Sequence, residues 1–282
     1  MWRLYADARR VAARAGSAAS AHAAVGAPSR SDPEWTRRLA LGHDMYRQRF
    51  DPAPETVSIV CVTSRPHLLD QLIEAVRGQT HLQRELILVT NSDRYSDIDV
   101  EARVERLADQ GCLTTVLRRP ADRSLGACLN DGMDATGARF VAKFDDDDLY
   151  GPQYLADSLR AFAYSGAGVV GKHTYYAYLA GGDRTVLRFP TREFSYSSTL
   201  AGGTLMIDRH RTGSLRFADV SIAEDRSFLA QCHRRGISTF SADRFNFVQV
   251  RAGDNTWTVG DDDFVVRAVP VADGLPIDSI NI

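Results

Sequence analysis

The chain has 282 residues, of which 44% are apolar and 25% charged, with a net charge of −2. That is the make-up of an ordinary globular protein with a sizeable core, long enough for one large domain or two modest ones. A balance this close to neutral gives no electrostatic ground for a nucleic acid partner, and no apolar run approaches the roughly 20 residues that span a bilayer.

Residues 1–55 are predicted as a helical and linker extension. MWRLYADARR carries charges where a signal peptide needs its apolar run, so the expected location is the cytoplasm. AARAGSAASAHAAVGAPSRS is rich in Ala, Ser and Gly and is predicted as a weak helix fading into a linker. A firmer helix start follows, with Ser31 or Asp32 as cap and Pro33 in the first turn. Trp35, Leu39, Met45, Tyr46 and Phe50 form one apolar stripe. The plain reading is a helix packed on the main domain or on a second copy of the chain, which makes this extension the route to a homo-oligomer. A peripheral contact with a membrane surface is the other reading, because basic residues beside aromatics suit an interface.

From residue 56 the pattern changes. TVSIVCVT is a continuous β-branched run, as expected of a strand covered on both faces. Pro66 opens a helix with Leu68, Leu69, Leu72, Ile73 and Val76 on one face. ELILVTN is a second strand, a helix lies near 98–110, and LTTVLRR is a third strand. Residues 124–137 form a helix with Leu125, Cys128, Leu129 and Met133 inward, and ARFVAKF is the fourth strand. GPQYLADSLRAF is another helix. Strands alternating with helices at this spacing predict an α/β fold with a mostly parallel sheet.

The second half is less regular. GVVGKHTYYAYL and TVLRFP are short strands of a meander or hairpin, with GGD between them. GGTLMIDR is a glycine-led strand, and SIAEDRSFLAQCHRRG is an amphipathic helix stopped by Gly236. ISTFSAD and RFNFVQVR are further strands. Cys61, Cys112, Cys128 and Cys232 are widely spaced with no C-x-x-C pair, which argues against zinc or redox chemistry and for small core residues.

The fourth strand runs into Asp145, Asp146, Asp147 and Asp148. Ligands of open parallel sheets bind beyond the carboxyl ends of the strands. Continued in extended form, the chain would point Asp145 and Asp147 to one side and Asp146 and Asp148 to the other. Paired carboxylates there suit a hard divalent cation that bridges to phosphate; a solvated acidic surface is the plainer alternative. A Walker-type loop is absent, and the turn after the first strand, VTSRPHLL, has no glycine for a dinucleotide.

Taken together, VSIVCVTSRPHLLDQLIEAVRGQT, ELILVTNSD and SLGACLNDGMDATGARFVAKFDDDDLYGPQYL resemble the nucleotide-diphospho-sugar transferases of the GT-A fold, most closely glycosyltransferase family 2. GGTLMIDR and AEDRSFLAQCHRRG extend the resemblance, which covers residues 56–257. It implies a GT-A domain over 56–282, with a short antiparallel portion in its second half. Residues 56–150 would be the nucleotide-sugar half, and 151–282 the acceptor half with the C-terminal tail.

The implied activity is inverting, metal-dependent transfer from a nucleotide-diphospho-sugar, with a UDP-sugar as the expected donor, to a hydroxyl of a glycan or other acceptor. The family's D-x-D falls on Asp145 and Asp147, which would hold Mn2+ or Mg2+ and through it the donor diphosphate. The family's base falls on Asp225, preceded by Glu224. Ser124, Gly126 and Asn130 match a donor-binding turn, Gly202 and Gly203 a glycine pair at the substrate, and Thr63 a nucleotide contact. Each has a plainer reading: Ser124 as a helix cap, Asn130 as a solvated residue, Asp225 as a favourable charge at a helix start.

Three departures bear on function. Asn91 stands where many relatives have an acid for the nucleobase, although its amide still donates and accepts hydrogen bonds. Asp254 and Asn255 stand where relatives often place a metal-binding His before Thr-Trp, which makes Asp254 a candidate third oxygen ligand and Asn255 the aligned but weaker one. The arginine-tryptophan signature of processive synthases is missing, so single additions are expected. A transferase-like module that binds a nucleotide-sugar or glycan without catalysis is the alternative those substitutions leave open. Lys143, two residues before the acidic run, is expected to be a structural counter-charge, and Asp261–Asp263 a solvated helix start.

Overall fold

The structure is a computed structural model that describes residues 40–43, 45, 47, 48, 54–95, 97–252 and 264–282, with the backbone alone for 97–99. The chain divides into two compact units, Met1–Pro52 and Ala53–Ile282. In the first, the described residues between 40 and 48 are helical. Met45, from the predicted apolar stripe, is exposed there, and Trp35, Leu39, Tyr46 and Phe50 lie outside the described residues.

The second unit begins with β1 (Val57–Thr63), whose β-branched residues are almost entirely buried. Pro66 starts a single 3-10 turn, followed by helix α1 (Leu69–Arg77). Strand β2 (Arg84–Asn91), helix α2 (Asp97–Ala108), β3 (Leu113–Arg119), helix α3 (Leu125–Asp134) and β4 (Phe140–Phe144) complete the alternating half. β1 pairs in parallel with β2 on one side and β4 on the other, and β2 with β3.

The two-residue alternation of β1 sorts its side chains between two cores. Val57, Ile59 and Cys61 pack with Leu69, Leu72, Ile73 and Val76 of α1 and with Val100 and Leu107 of α2. Val60 faces the opposite way, with Leu129 and Met133 of α3. Each such buried aliphatic side chain contributes about 1.5–3 kcal/mol. β3 is the sheet's edge, which is why its residues alternate between exposed and half-buried. The four cysteines are free and buried, as small core residues.

The remaining elements are short. They comprise β5 (Leu149–Tyr150), helix α4 (Tyr154–Ser165), β6 (Val169–Gly171), β7 (Tyr175–Leu179), β8 (Arg184–Arg188), β9 (Ser195–Tyr196), β10 (Met206–Asp208), helix α5 (Glu224–Arg234), β11 (Thr239–Ser241), β12 (Phe247–Arg251) and β13 (Ala268–Asp273). The main sheet has eight strands in the order β3-β2-β1-β4-β10-β6-β11-β9. β10 enters antiparallel between β4 and β6. A second sheet has the order β13-β8-β7-β12-β5, and β7 and β8 are the predicted hairpin. β5, β9 and β13 were not predicted: two are only two residues long, and β13 carries Pro270 on a sheet edge. Among the described residues, no helix is long and apolar enough to cross a membrane.

Candidate active site

Two topological facts place the site. β1 lies between β2 and β4, so the order reverses there and a crevice opens beyond the carboxyl ends of β1 and β4. Thr63 ends β1, and the acidic run follows β4 directly.

The acidic run itself differs from the expected extended form. β4 stops at Phe144, and residues 145–148 make a turn into β5, so the alternation that would have paired Asp145 with Asp147 and turned Asp146 and Asp148 away does not apply. Instead, Asp145 and Asp148 both approach Gly203: a Cβ at that glycine would lie 2.8 Å from Asp145 Oδ2 and 2.7 Å from Asp148 Oδ2. Asp146 and Asp147 share one guanidinium, with Arg65 Nη2 paired to Asp146 Oδ1 and Nη1 3.0 Å from Asp147 Oδ2. The reason is steric: a chain that must hand over from one sheet to another within five residues cannot stay extended.

Four neighbouring carboxylates repel one another, and the protein counters part of that charge. Lys143, buried in β4, holds Asp145 Oδ1 at 2.5 Å, the counter-charge role expected of it. Burial alone would push the Lys143 ammonium down, but Asp145, then Glu224 and Asp225, hold it above the ordinary lysine value. Asp146 is 3% exposed and takes Thr63 Oγ1 at 2.5 Å besides Arg65. Asp148 is buried and accepts from the Val250 amide of β12 at 3.0 Å. Burial, then Asp145, push the Asp147 carboxyl up against the opposing pull of Arg65. Burial, then Asp147 and Asp145, do the same to Asp148. A turn whose carboxylates still raise one another's proton affinity retains excess negative potential, the donor chemistry a hard cation relieves.

The glycine pair joins this turn to α5. A Cβ at Gly202 would meet Asp225 Oδ2 at 2.2 Å, and one at Gly203 meets Asp145 and Asp148. Asp225 and Asp145 therefore lie against adjacent residues, with carboxylate oxygens no more than about 12 Å apart: one Cα–Cα step, two Cα–Cβ bonds and the two approaches. Tyr150 clasps the two turns: its hydroxyl accepts from the Asp145 amide at 2.8 Å and donates to the Gly203 carbonyl at 2.7 Å. Its ring is stacked on Phe144 with centroids 3.7 Å apart. Tyr154 donates to the Thr204 carbonyl at 2.8 Å.

Asp225 lies in the first turn of α5, half-buried, with its Oδ1 on the Arg226 amide at 2.6 Å. Glu224 beside it is buried; burial raises its carboxyl, Lys143 lowers it and Asp225 raises it again.

The contacts of the other predicted residues are structural. Ser124 caps α3 by accepting from the Ala127 amide at 3.1 Å and donates to Asp219 at 2.5 Å. Asn130 grips the backbone of Phe217 on both sides, its Oδ1 2.9 Å from the amide and its Nδ2 3.0 Å from the carbonyl. The Gly126 amide donates to the Val220 carbonyl at 3.0 Å. These three hold the segment 217–221 that leads into Asp225. Asn130→Ala is expected to strand both Phe217 backbone groups and to cost roughly 1–3 kcal/mol in urea unfolding. Thr63 meets Tyr95 Oη at 2.9 Å and Asp146. Asn91, ending β2, donates to the carbonyls of Pro120 and Arg123, each at 3.0 Å.

Asp254, Asn255 and Asp261–Asp263 lie outside the described residues. Among the described residues, no three His, Cys, Asp or Glu side chains form a ready-made metal cage. Arg65 and Tyr150 were missed from the sequence. Arg65 had a signal, since it is a cation two residues past the end of β1, at the switch point and facing the acids of β4. Tyr150 had none, because its role depends on where the 202–203 turn sits.

A mostly parallel sheet in this order, flanked by helices and joined by a short antiparallel part, is the GT-A fold. The family model for glycosyl transferase family 2 matches residues 57–226, and the chain belongs to that family. No curated protein matches the chain. Among solved structures, the mannosyltransferase PcManGT from Pyrobaculum calidifontis, in complex with GDP-Man and Mn2+, is similar with a TM-score of 0.55 and 15% identity. The alignment covers 82% of this chain and 68% of that one. S. aureus TarS 1-349 in complex with UDP-GlcNAc is similar with a TM-score of 0.56 and 16% identity, over 74% of this chain and 63% of TarS 1-349. At these identities the likeness shows the fold. The chain thus spans less than two thirds of the TarS fragment.

Proposed function

We propose that the chain transfers a sugar, one residue per encounter and with inversion, from a nucleotide-diphospho-sugar to an acceptor hydroxyl, and that it needs a divalent cation. The observation that carries this reading is the Gly202–Gly203 turn, which has Asp225 against one glycine and Asp145 and Asp148 against the next. A proton acceptor on one side of a glycine turn and an acidic turn on the other suit attack at one face of a sugar and departure from the other. The likeness to folds solved with GDP-Man and Mn2+ and with UDP-GlcNAc supports the same substrate class.

In this reading, Asp145 and Asp147, the positions on which the family's D-x-D falls, would hold Mn2+ or Mg2+. A bound cation there supplies charge neutralisation for the leaving diphosphate. Asp225 takes the acceptor's hydroxyl proton as its oxygen bonds to the anomeric carbon and the bond to the diphosphate oxygen breaks. Lys143 keeps Asp145 oriented and partly offsets the effect of burial on the Glu224 carboxyl. Thr63 and Asn91 border the nucleotide, while Ser124, Gly126 and Asn130 act as positioning residues for the segment before Asp225.

Incubation with radiolabelled UDP- and GDP-sugars and Mn2+ tests the reading, because slow donor hydrolysis alone requires a working site. No release of sugar from any donor, with or without metal, would leave a binding module instead. Asp147→Ala is expected to weaken Mn2+-dependent nucleotide binding by about tenfold or more, measured by calorimetry with and without EDTA.

A further inference from the structure

We propose that Arg65 is a resident counter-cation that a divalent ion displaces from Asp147, and that this displacement couples metal binding to capture of the donor diphosphate. The inference rests on the metal reading above and adds a residue and a binding order to it.

The backbone sets Arg65 in place before any ligand arrives. Pro66 follows it, which restricts the preceding residue to extended conformations, and Arg65 has φ −116° and ψ 89°. Its amide donates to Thr63 Oγ1 at 3.1 Å. The guanidinium then divides its contacts unequally. Nη2 and Nε take Asp146, the latter at 3.3 Å, and Nη1 takes Asp147. Asp146 is 3% exposed and shared with Thr63, so this half of the fork is an anchor. The Asp147 side chain is 18% exposed and Arg65 19%, so the other half opens on the crevice.

That asymmetry has an electrostatic consequence. A guanidinium on Asp147 cancels part of the pull that carboxylate exerts on a second cation, and a divalent ion on Asp147 repels the guanidinium in turn. Metal alone therefore binds weakly. A diphosphate changes the balance, because it gives Nη1 a new anionic acceptor, and the planar fork of arginine suits phosphate oxygens. The anchor on Asp146 keeps the guanidinium within reach while Nη1 changes partner. Metal and nucleotide diphosphate then strengthen each other's binding, by the same factor in either order.

The test is direct Mn2+ binding, read from the electron paramagnetic resonance of free Mn2+ and by calorimetry, with wild-type protein and the variants R65Q and R65K, each with and without UDP or GDP. In R65Q, Mn2+ alone is expected to bind about tenfold more tightly than in wild type, since a competing charge has gone. The gain on adding nucleotide should shrink by a similar factor. R65K keeps the charge but holds one carboxylate at a time, and should bind Mn2+ alone two- to threefold more tightly than wild type. It decides the matter if R65Q loses its cooperative melting transition. Mn2+ affinity equal to or weaker than wild type, in whichever variants fold, overturns the inference and leaves the metal reading standing. Wild type that binds no Mn2+ under any condition overturns both.

Discussion

With Asp225 as the proposed base, Asp225→Asn is expected to lower turnover by roughly 10²–10⁴-fold, the usual contribution of a positioned base, while donor nucleotide affinity changes by less than about threefold. The split follows from location. Asp225 stands on α5, across the Gly202–Gly203 turn from the acidic residues, and is separated from them by backbone. An asparagine has the same shape and can still accept from the Arg226 amide at the helix start, so neither the fold nor the acid turn is disturbed. What is lost is the capacity to take a proton. Steady-state kinetics with calorimetry of nucleotide binding check this. A variant that keeps turnover within about threefold of wild type would remove Asp225 from the reaction, and one that loses donor binding as well would assign it a different part.

Gly126→Ala is expected to destabilise the protein by about 3 kcal/mol or more, despite the roughly 1 kcal/mol that alanine gains over glycine in a helix. A Cβ at Gly126 would lie 1.8 Å from the Ala218 carbonyl oxygen and 3.1 Å from that of Val220. Both are backbone atoms, and the segment cannot retreat. Asn130 fixes Phe217 on both sides, the Gly126 amide fixes Val220, and Ser124 fixes Asp219. If the segment is forced away, Asp225, a few residues on, is displaced too, so activity falls with stability. Urea unfolding gives the size of the effect, read as a lower midpoint at unchanged slope. Gly137→Ala, where an added Cβ meets nothing within 4 Å, is the control and should lie within about 0.5 kcal/mol of wild type. Wild-type stability in Gly126→Ala would mean that the 217–221 segment is not held as described.

Much of the scaffold was legible because local patterns decide it. The continuous apolar run of β1, the single inward face of α1 and the cap at Ser124 are properties of neighbouring residues, and the structure has them where the pattern predicts. The short strands of the second half were less legible. β5 and β9 are two residues long, and a pair of residues carries no periodicity. The ordered motifs also led to the right family, which matches 57–226.

The sequence by itself determined an α/β chain with a parallel half, an acidic run at a strand end and an acid pair at a helix start, since strand and helix periodicity and end signals are written in adjacent residues. Only the tertiary structure decided how the four acids divide. That depends on a turn between two sheets, on Arg65 arriving from β1 and on the glycine turn arriving from between β9 and β10. It also decided that Ser124, Gly126 and Asn130 clamp a segment about 90 residues away. Those arrangements are set by contacts between distant parts of the chain; the neighbouring residues encode the pairing of Lys143 with Asp145, but not how Arg65 divides between Asp146 and Asp147.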